Sequence, residues 1–194
     1  MMKIYAIRHG QTDQNLNKIV QGWSNHPLNQ NGIKQAYDMG HYLKIHHYTF
    51  DRIISSPLIR SIKTAEIIQS ILMTNHNIEI DDAFIERDFG VFEGGSVEET
   101  IKIISVKNFK RDGYEHDEAL LQRIKQGIDN LYHKYPNESI LLSCHSHVSK
   151  SLLVLSDPNT YTFRTLLNNA SMCIFEFDGI NLKTIAYNIE ANEK

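Results

Sequence analysis

The chain has 194 residues, with 20 Lys and Arg against 23 Asp and Glu and a formal net charge of −3. That length suits one domain spanning residues 1–194 with a substantial core. The absence of a basic excess argues against a nucleic-acid partner, and no stretch approaches a transmembrane span. The few apolar residues before Arg8 are too short for the apolar region of a signal peptide. A cytoplasmic protein without a membrane partner is therefore expected. Cys144 and Cys173 sit in apolar runs without Cys-x-x-Cys spacing and read as buried, reduced thiols.

In chain order, Ile4-Tyr5-Ala6-Ile7 reads as a buried strand that stops at Arg8-His9-Gly10. A polar loop from Asp13 to Asn31 follows, then a helix over Gly32 to Leu43 capped by Asn29. Arg52 to Ser55 reads as a second strand, and Ser56-Pro57 as the cap and first-turn proline of a helix. Ile78 to Ile80 and Phe84-Ile85 read as strand or extended chain. Glu86 to Gly95, with three glycines among carboxylates and aromatics, reads as an ordered functional loop. A helix is expected from Val97 to Val106, a solvated connection from Lys107 to Glu115, and an amphipathic helix from Asp117 to Tyr135. Ser139 to Cys144 is another buried strand, ending at His145, with a helix from about Val148. Met172 to Phe177 and Leu182 to Tyr187 flank a turn and read as a hairpin. Alternating strands and helices argue a mostly parallel α/β sheet.

Two strands far apart in sequence thus present a histidine at their carboxyl ends, where open α/β sheets bind ligands. Arg60 follows a third strand, near the start of a helix whose dipole favours anions, and the glycine-rich loop adds Glu86. Two histidines, two arginines and one glutamate are what phosphoryl transfer through a phosphohistidine requires. Cations offset charge on the phosphoryl oxygens, and a neutral imidazole attacks phosphorus. A carboxylic acid protonates the leaving oxygen, and like charge from a bound phosphate dianion raises the pKa of Glu86 towards that task. His145 and His147 could be read as a metal pair, but no Asp or Cys cluster accompanies them. Trp23 reads as packing a loop, Glu93 as supporting Glu86, and His41, His46, His47, His116 and His133 as solvated.

Arg8-His9-Gly10-Gln11-Thr12 with Asn15, then Gln21-Gly22-Trp23, Ser55 to Ala65, Glu86 to Gly94 and Asn169-Ala170-Ser171 follow one another in a recognisable order. Together they resemble the histidine phosphatase superfamily, in its phosphoglycerate mutase-like branch. The resemblance implies a three-layer α/β sandwich, a mostly parallel mixed sheet flanked by helices, with a small cap insertion. It implies His9 as the phosphorylated nucleophile, Arg8, Arg60 and His145 as the phosphate pocket, and Glu86 as the proton donor. Asn15, Gln21 and Gly22 match positions on the substrate side, and no metal or cofactor is used. The chain departs from the pattern at Ser146 and His147, where glycine is usual after the second histidine, and at Lys150 and Ile19, where arginine is common. Ser146, His147 and Ile19 are expected to reshape the substrate rim. The expected activity is a phosphomonoesterase on phosphorylated small molecules; a phosphoglycerate mutase and a non-catalytic phospho-ligand binder of the same fold are the alternatives. Glu86 favours the enzyme, since a binder has no use for an acid.

Overall fold

A computed structural model describes residues 1–106 and 109–191. Lys107 and Asn108, part of the expected solvated connection, lie outside the described residues. The strands are β1 (Met2–Arg8), β2 (Arg52–Ser55), β3 (Ile78–Ile80), β4 (Ser139–Cys144), β5 (Met172–Phe177) and β6 (Leu182–Ile189). They form one six-stranded sheet in the order β3-β2-β4-β1-β5-β6. The first four of that order run parallel, and β5 and β6 join as an antiparallel hairpin beside β1.

Side-chain alternation along β1 explains the layers. Ile4 and Ala6 face a core built with Leu120, Ile124 and Ile128 of α5 (Asp117–Lys134) and Val148 and Leu152 of α6 (Ser146–Ser156). Ile7 faces the opposite core, with Met39 and Leu43 of α2 (Gln30–Ile45) and Ala65 and Ile68 of α3 (Ile59–Leu72). Successive strand residues point to opposite faces, so a fully apolar strand must be covered on both sides.

The register of the central strands sets the site. Arg8 of β1 pairs with Cys144 of β4, so His9 and His145 leave neighbouring strand ends. Ser55 of β2 pairs with Ser143, which brings Ser56 level with them.

Several elements differ from the sequence reading. The polar loop contains a short helix, α1 (Asp13–Leu16), closed by a Thr12–Asn15 capping box. α2 starts at Gln30, capped by Asn29 as expected. α3 starts at Ile59, with Leu58 in the cap position and no side-chain cap. Ser56 is not the cap, because its hydroxyl faces His145 Nε2 at 2.6 Å. Asp82–Phe84 is a 3-10 turn, since the Asp81 carboxylate accepts the Ala83 N–H. A fourth helix, α4 (Val97–Ile104), ends short of Val106, and α6 begins at Ser146 directly after His145. The stretch read as a solvated connection contains Tyr114, buried against Val20, Phe89 and Phe92.

Close backbone packing under the site demands a glycine at position 10. A Cβ built on Gly10 would lie 2.2 Å from the carbonyl oxygen of Gly32. Gly10→Ala should therefore destabilise the fold by about 1–3 kcal/mol. Urea unfolding should show a lower midpoint at unchanged slope, and an unchanged midpoint would contradict this packing.

Candidate active site

His9 lies just past β1 and is 3% exposed. Its Nδ1 is 2.7 Å from the carbonyl oxygen of Gly10, which can only accept, so the ring proton is assigned to Nδ1. The lone pair is then on Nε2, which accepts from Arg60 Nε at 3.2 Å. Burial, then the charges of Arg60, His145 and Arg8, hold His9 well below the usual histidine range. The imidazole is thus neutral at pH 7, with a nucleophilic nitrogen.

Arg60 is the second residue of α3, at the start of the helix as expected. Its Nη1 donates to the carbonyl of Ser24 at 2.7 Å and its Nη2 to that of Gly22 at 2.8 Å. Burial lowers its pKa to about 10, against the pull of Glu86 and Glu93. Arg8 Nη1 donates to the carbonyl of Leu167 at 2.6 Å. The His145 ring packs edge-on to His9 with centroids 5.2 Å apart. Burial and Arg60 also hold His145 well below the ordinary value, so it too is neutral.

Glu86 accepts the N–H of Arg87 at 2.8 Å and the N–H of His147, in the first turn of α6, at 3.2 Å. Burial by itself pushes this carboxyl up, yet the interactions with His147, His145 and the Arg87 N–H outweigh it and hold Glu86 well below the usual range. Burial also lowers His147, against the pull of Glu86, so at neutral pH its ring is uncharged. The ring Nδ1 is 3.8 Å from Glu86, too far for a hydrogen bond. The backbone N–H groups of Arg87 and His147 add to the stabilisation of the carboxylate, and Glu86 is ionised at neutral pH.

One cavity of about 1100 Å³ is lined by Arg8, His9, Arg60 and Glu86 together with Asn15, Gln21, Gly22 and Ser146. His145 lies beside His9, fully buried, and is not among the residues that line the cavity surface. The Asn15 side-chain oxygen is held by the Thr12 N–H and by Asn169, and the Gln21 oxygen by the Thr12 hydroxyl. Among the described residues, four buried side-chain atoms lack a hydrogen-bond partner: Arg8 Nε, His145 Nδ1, and Nε and Nη2 of Arg87. Arg87 Nη2 is still 2.7 Å from the Asp117 carboxylate, so its charge is met. Arg8 Nε and His145 Nδ1 are two of the groups expected to take phosphate. Unmet buried donors beside two guanidiniums suit an oxyanion.

The sequence reading missed Arg87, Tyr114 and Phe163 in the cavity lining, and took His147 and Lys150 as departures from the family pattern. Arg87 stacks over Phe163 at 4.5 Å and donates to the Tyr114 hydroxyl. His147 is wedged between Phe89 and Phe163, and Lys150 Nζ donates to the carbonyl of Phe163 at 3.0 Å. Burial beside Arg8 lowers the Lys150 pKa to about 8. Arg87 follows Glu86 directly, which was the available signal; Tyr114, among charged neighbours, carried none. Trp23 does more than pack: its indole N–H donates to the carbonyl of Glu86 at 2.7 Å. His145 and His147 do not converge, and among the described residues no group of three His, Cys, Asp or Glu could hold a metal ion.

The family model described as histidine phosphatase superfamily, branch 1, matches residues 4–190. The phosphatase PhoE of Bacillus subtilis, itself uncharacterised, is 34% identical over 193 residues, covering 99% of this chain and 97% of that protein. Phosphoserine phosphatase from Entamoeba histolytica, solved with phosphoserine, superposes with a TM-score of 0.82 at 26% identity, covering 97% of each chain. YhfR of Bacillus stearothermophilus shares the fold at a TM-score of 0.85 and 22% identity over the whole of both chains. With a six-stranded mixed sheet of the matching fold and a family match that spans nearly its whole length, the chain belongs to the histidine phosphatase superfamily, branch 1.

Proposed function

We propose that residues 1–194 form one metal-independent phosphomonoesterase that acts on phosphorylated small molecules through a phosphohistidine on His9. The observation that carries this reading is a neutral His9 whose Nε2 lone pair faces the Arg60 guanidinium, in a cavity that also holds Glu86. In the first step Nε2 attacks phosphorus, the ester P–O bond breaks, and a proton on Glu86 passes to the leaving oxygen. In the second step Glu86 takes a proton from water, the water oxygen attacks phosphorus, and the N–P bond breaks to release phosphate. Arg8, Arg60 and His145 meet the charge that spreads over the phosphoryl oxygens. Asn15, Gln21, Gly22 and Ser146 border the ester's organic part, and Ile19, Phe89 and Ile101 give that end of the cavity an apolar wall. A relative bound to phosphoserine supports a small phosphorylated substrate.

The reading favours hydrolysis over phosphoglycerate mutation. A mutase must keep its phosphohistidine from water and retain an anionic intermediate. Here Lys102 pairs with Glu98 at the surface and Arg111 lies over the Phe92 ring, so neither lines the cavity. Ile19 stands in the first loop where an arginine would add a cation. Lys150 and Arg87 do line the cavity, but they are engaged by Phe163 and by Asp117 and Tyr114.

Mixing the protein with a 32P-labelled phosphomonoester in excess chelator, then quenching at alkaline pH, should trap an acid-labile phosphate. His9→Ala should remain unlabelled; labelling of that variant, or label that needs an added metal, would overturn the mechanism. Glu86→Gln should slow alkyl phosphates by about 100- to 10,000-fold and dinitrophenyl phosphate far less, because its leaving group needs no proton. Equal losses on both would move the acid elsewhere. Incubated with 3-phosphoglycerate and a trace of 2,3-bisphosphoglycerate, the enzyme should release inorganic phosphate faster than it forms the 2-phospho isomer. Isomer forming many times faster than phosphate would make it a mutase.

A further inference from the structure

Ser56 is fully buried, does not line the cavity, and has no part in the cycle above. Its backbone N–H donates to the carbonyl of Ser143 at 3.1 Å, which continues the β2–β4 ladder by one residue. That register holds the Ser56 hydroxyl 2.6 Å from His145 Nε2. The neighbouring buried hydroxyls of Ser55, Ser61 and Ser143 bond to one another and to backbone carbonyls, not to the Ser56 hydroxyl.

Two hydrogen arrangements fit a neutral His145. If Nε2 carried the proton and donated to Ser56, the Ser56 hydrogen would have no other acceptor among the described residues. His145 Nδ1 would then be a buried lone pair, repelled by any phosphoryl oxygen that approached it. If Ser56 donates to Nε2, its oxygen can accept the Leu58 N–H at 3.4 Å and Nδ1 carries the proton. Nδ1 has no hydrogen-bond partner among the described residues, and the charged groups that act most strongly on this ring are Arg60, Glu86 and Arg8. A donor at that place completes an anion site, whereas a lone pair would oppose one.

We infer that Ser56 is a positioning residue: its hydroxyl donates to His145 Nε2 and keeps the proton on Nδ1, where it donates to the transferring phosphoryl group. The inference rests on the phosphatase reading above. It gives the buried serine a role distinct from the helix cap that its place before Pro57 suggests. A hydrogen bond to a charged group, lost when Ser56 no longer orients its donor, corresponds to about a 10- to 100-fold effect.

The test starts with the wild-type protein labelled with 15N-histidine, free of ligand at pH 7.5, with His145 assigned by its loss in His145→Asn. Long-range 1H–15N correlation should show the His145 proton on Nδ1. A proton on Nε2, or on both nitrogens, would overturn the inference, while turnover of a phosphomonoester in the same sample would leave the phosphatase reading standing. With dinitrophenyl phosphate, whose leaving group needs no proton from Glu86, Ser56→Ala should lower kcat about 10- to 100-fold and weaken orthovanadate inhibition by a similar factor. Ser56→Thr, which keeps the hydroxyl, should recover most of both. A folded Ser56→Ala enzyme with wild-type kcat and vanadate affinity would also overturn it. If Ser56→Ala fails to fold, the wild-type tautomer decides alone.

Discussion

The Arg60 guanidinium is buried with neutral partners on every side: His9 Nε2 and the carbonyls of Ser24 and Gly22. Glu86 and Glu93 balance its charge from further off. Two unit charges 4 Å apart repel by about 4 kcal/mol at an effective dielectric of about 20. A second cation on His9 or His145 is therefore strongly disfavoured next to Arg60 and Arg8. Burial first, and then these charges, keep both imidazoles neutral, and a neutral imidazole is the form that can attack phosphorus and that donates without adding charge. In the proposed reaction, the arginine that would bind the substrate's anion also helps to keep the nucleophile uncharged.

One short segment connects this cation to the acid. The Glu93 carboxylate accepts the N–H groups of Trp23 and Ser24, at 2.6 and 2.9 Å, while carbonyls of the same loop hold Arg60. The Trp23 indole then reaches the carbonyl of Glu86. Gly22 makes the arrangement possible: its φ is +50°, and a Cβ there would lie 2.1 Å from Glu93 Oε1. Glu93 thus acts on the phosphate side of the site as much as on the acid loop it was expected to support. A displacement of residues 22–24 would move the cation and the acid together.

What could be read from the sequence followed from how local its signal was. The apolar runs of β1 and β4 and their terminal histidines announced both the sheet and the ends where ligands bind. The α5 pattern of Leu120, Ile124, Ile128 and Leu131 marked its buried face, and all four are core residues. Ser56 was misread because a serine before a proline has the local pattern of a helix cap, while its actual partner lies 89 positions away and is set by sheet register. Tyr114 was hidden for a similar reason. Its neighbours Arg111, Asp112 and Glu115 make the stretch look solvated, but its ring packs against Phe89, Phe92 and Phe109, and two of those come from the distant acid loop. His147 was seen as a rim residue, yet its backbone N–H also meets Glu86, and no reading of side-chain types exposes that.

That N–H creates a tension with the proposed acid. Glu86 lies at the first turn of α6, where helix N–H groups favour the anion, and its surroundings hold it well below the usual carboxylate range. An ionised carboxylate has no proton to give a leaving group. The second ionisation of a phosphate monoester has a pKa of about 6, so the substrate can bring the proton with it. Once the phosphoryl group sits among Arg8, Arg60, His9 and His145, its negative charge raises the pKa of Glu86 while the guanidiniums lower that of the phosphate. Both shifts move the one shared proton from substrate to carboxyl. In the proposed mechanism the acid is therefore made by binding: the contacts that hold Glu86 ionised position it to receive a proton, and the substrate's own charge would reverse which of the two groups holds it.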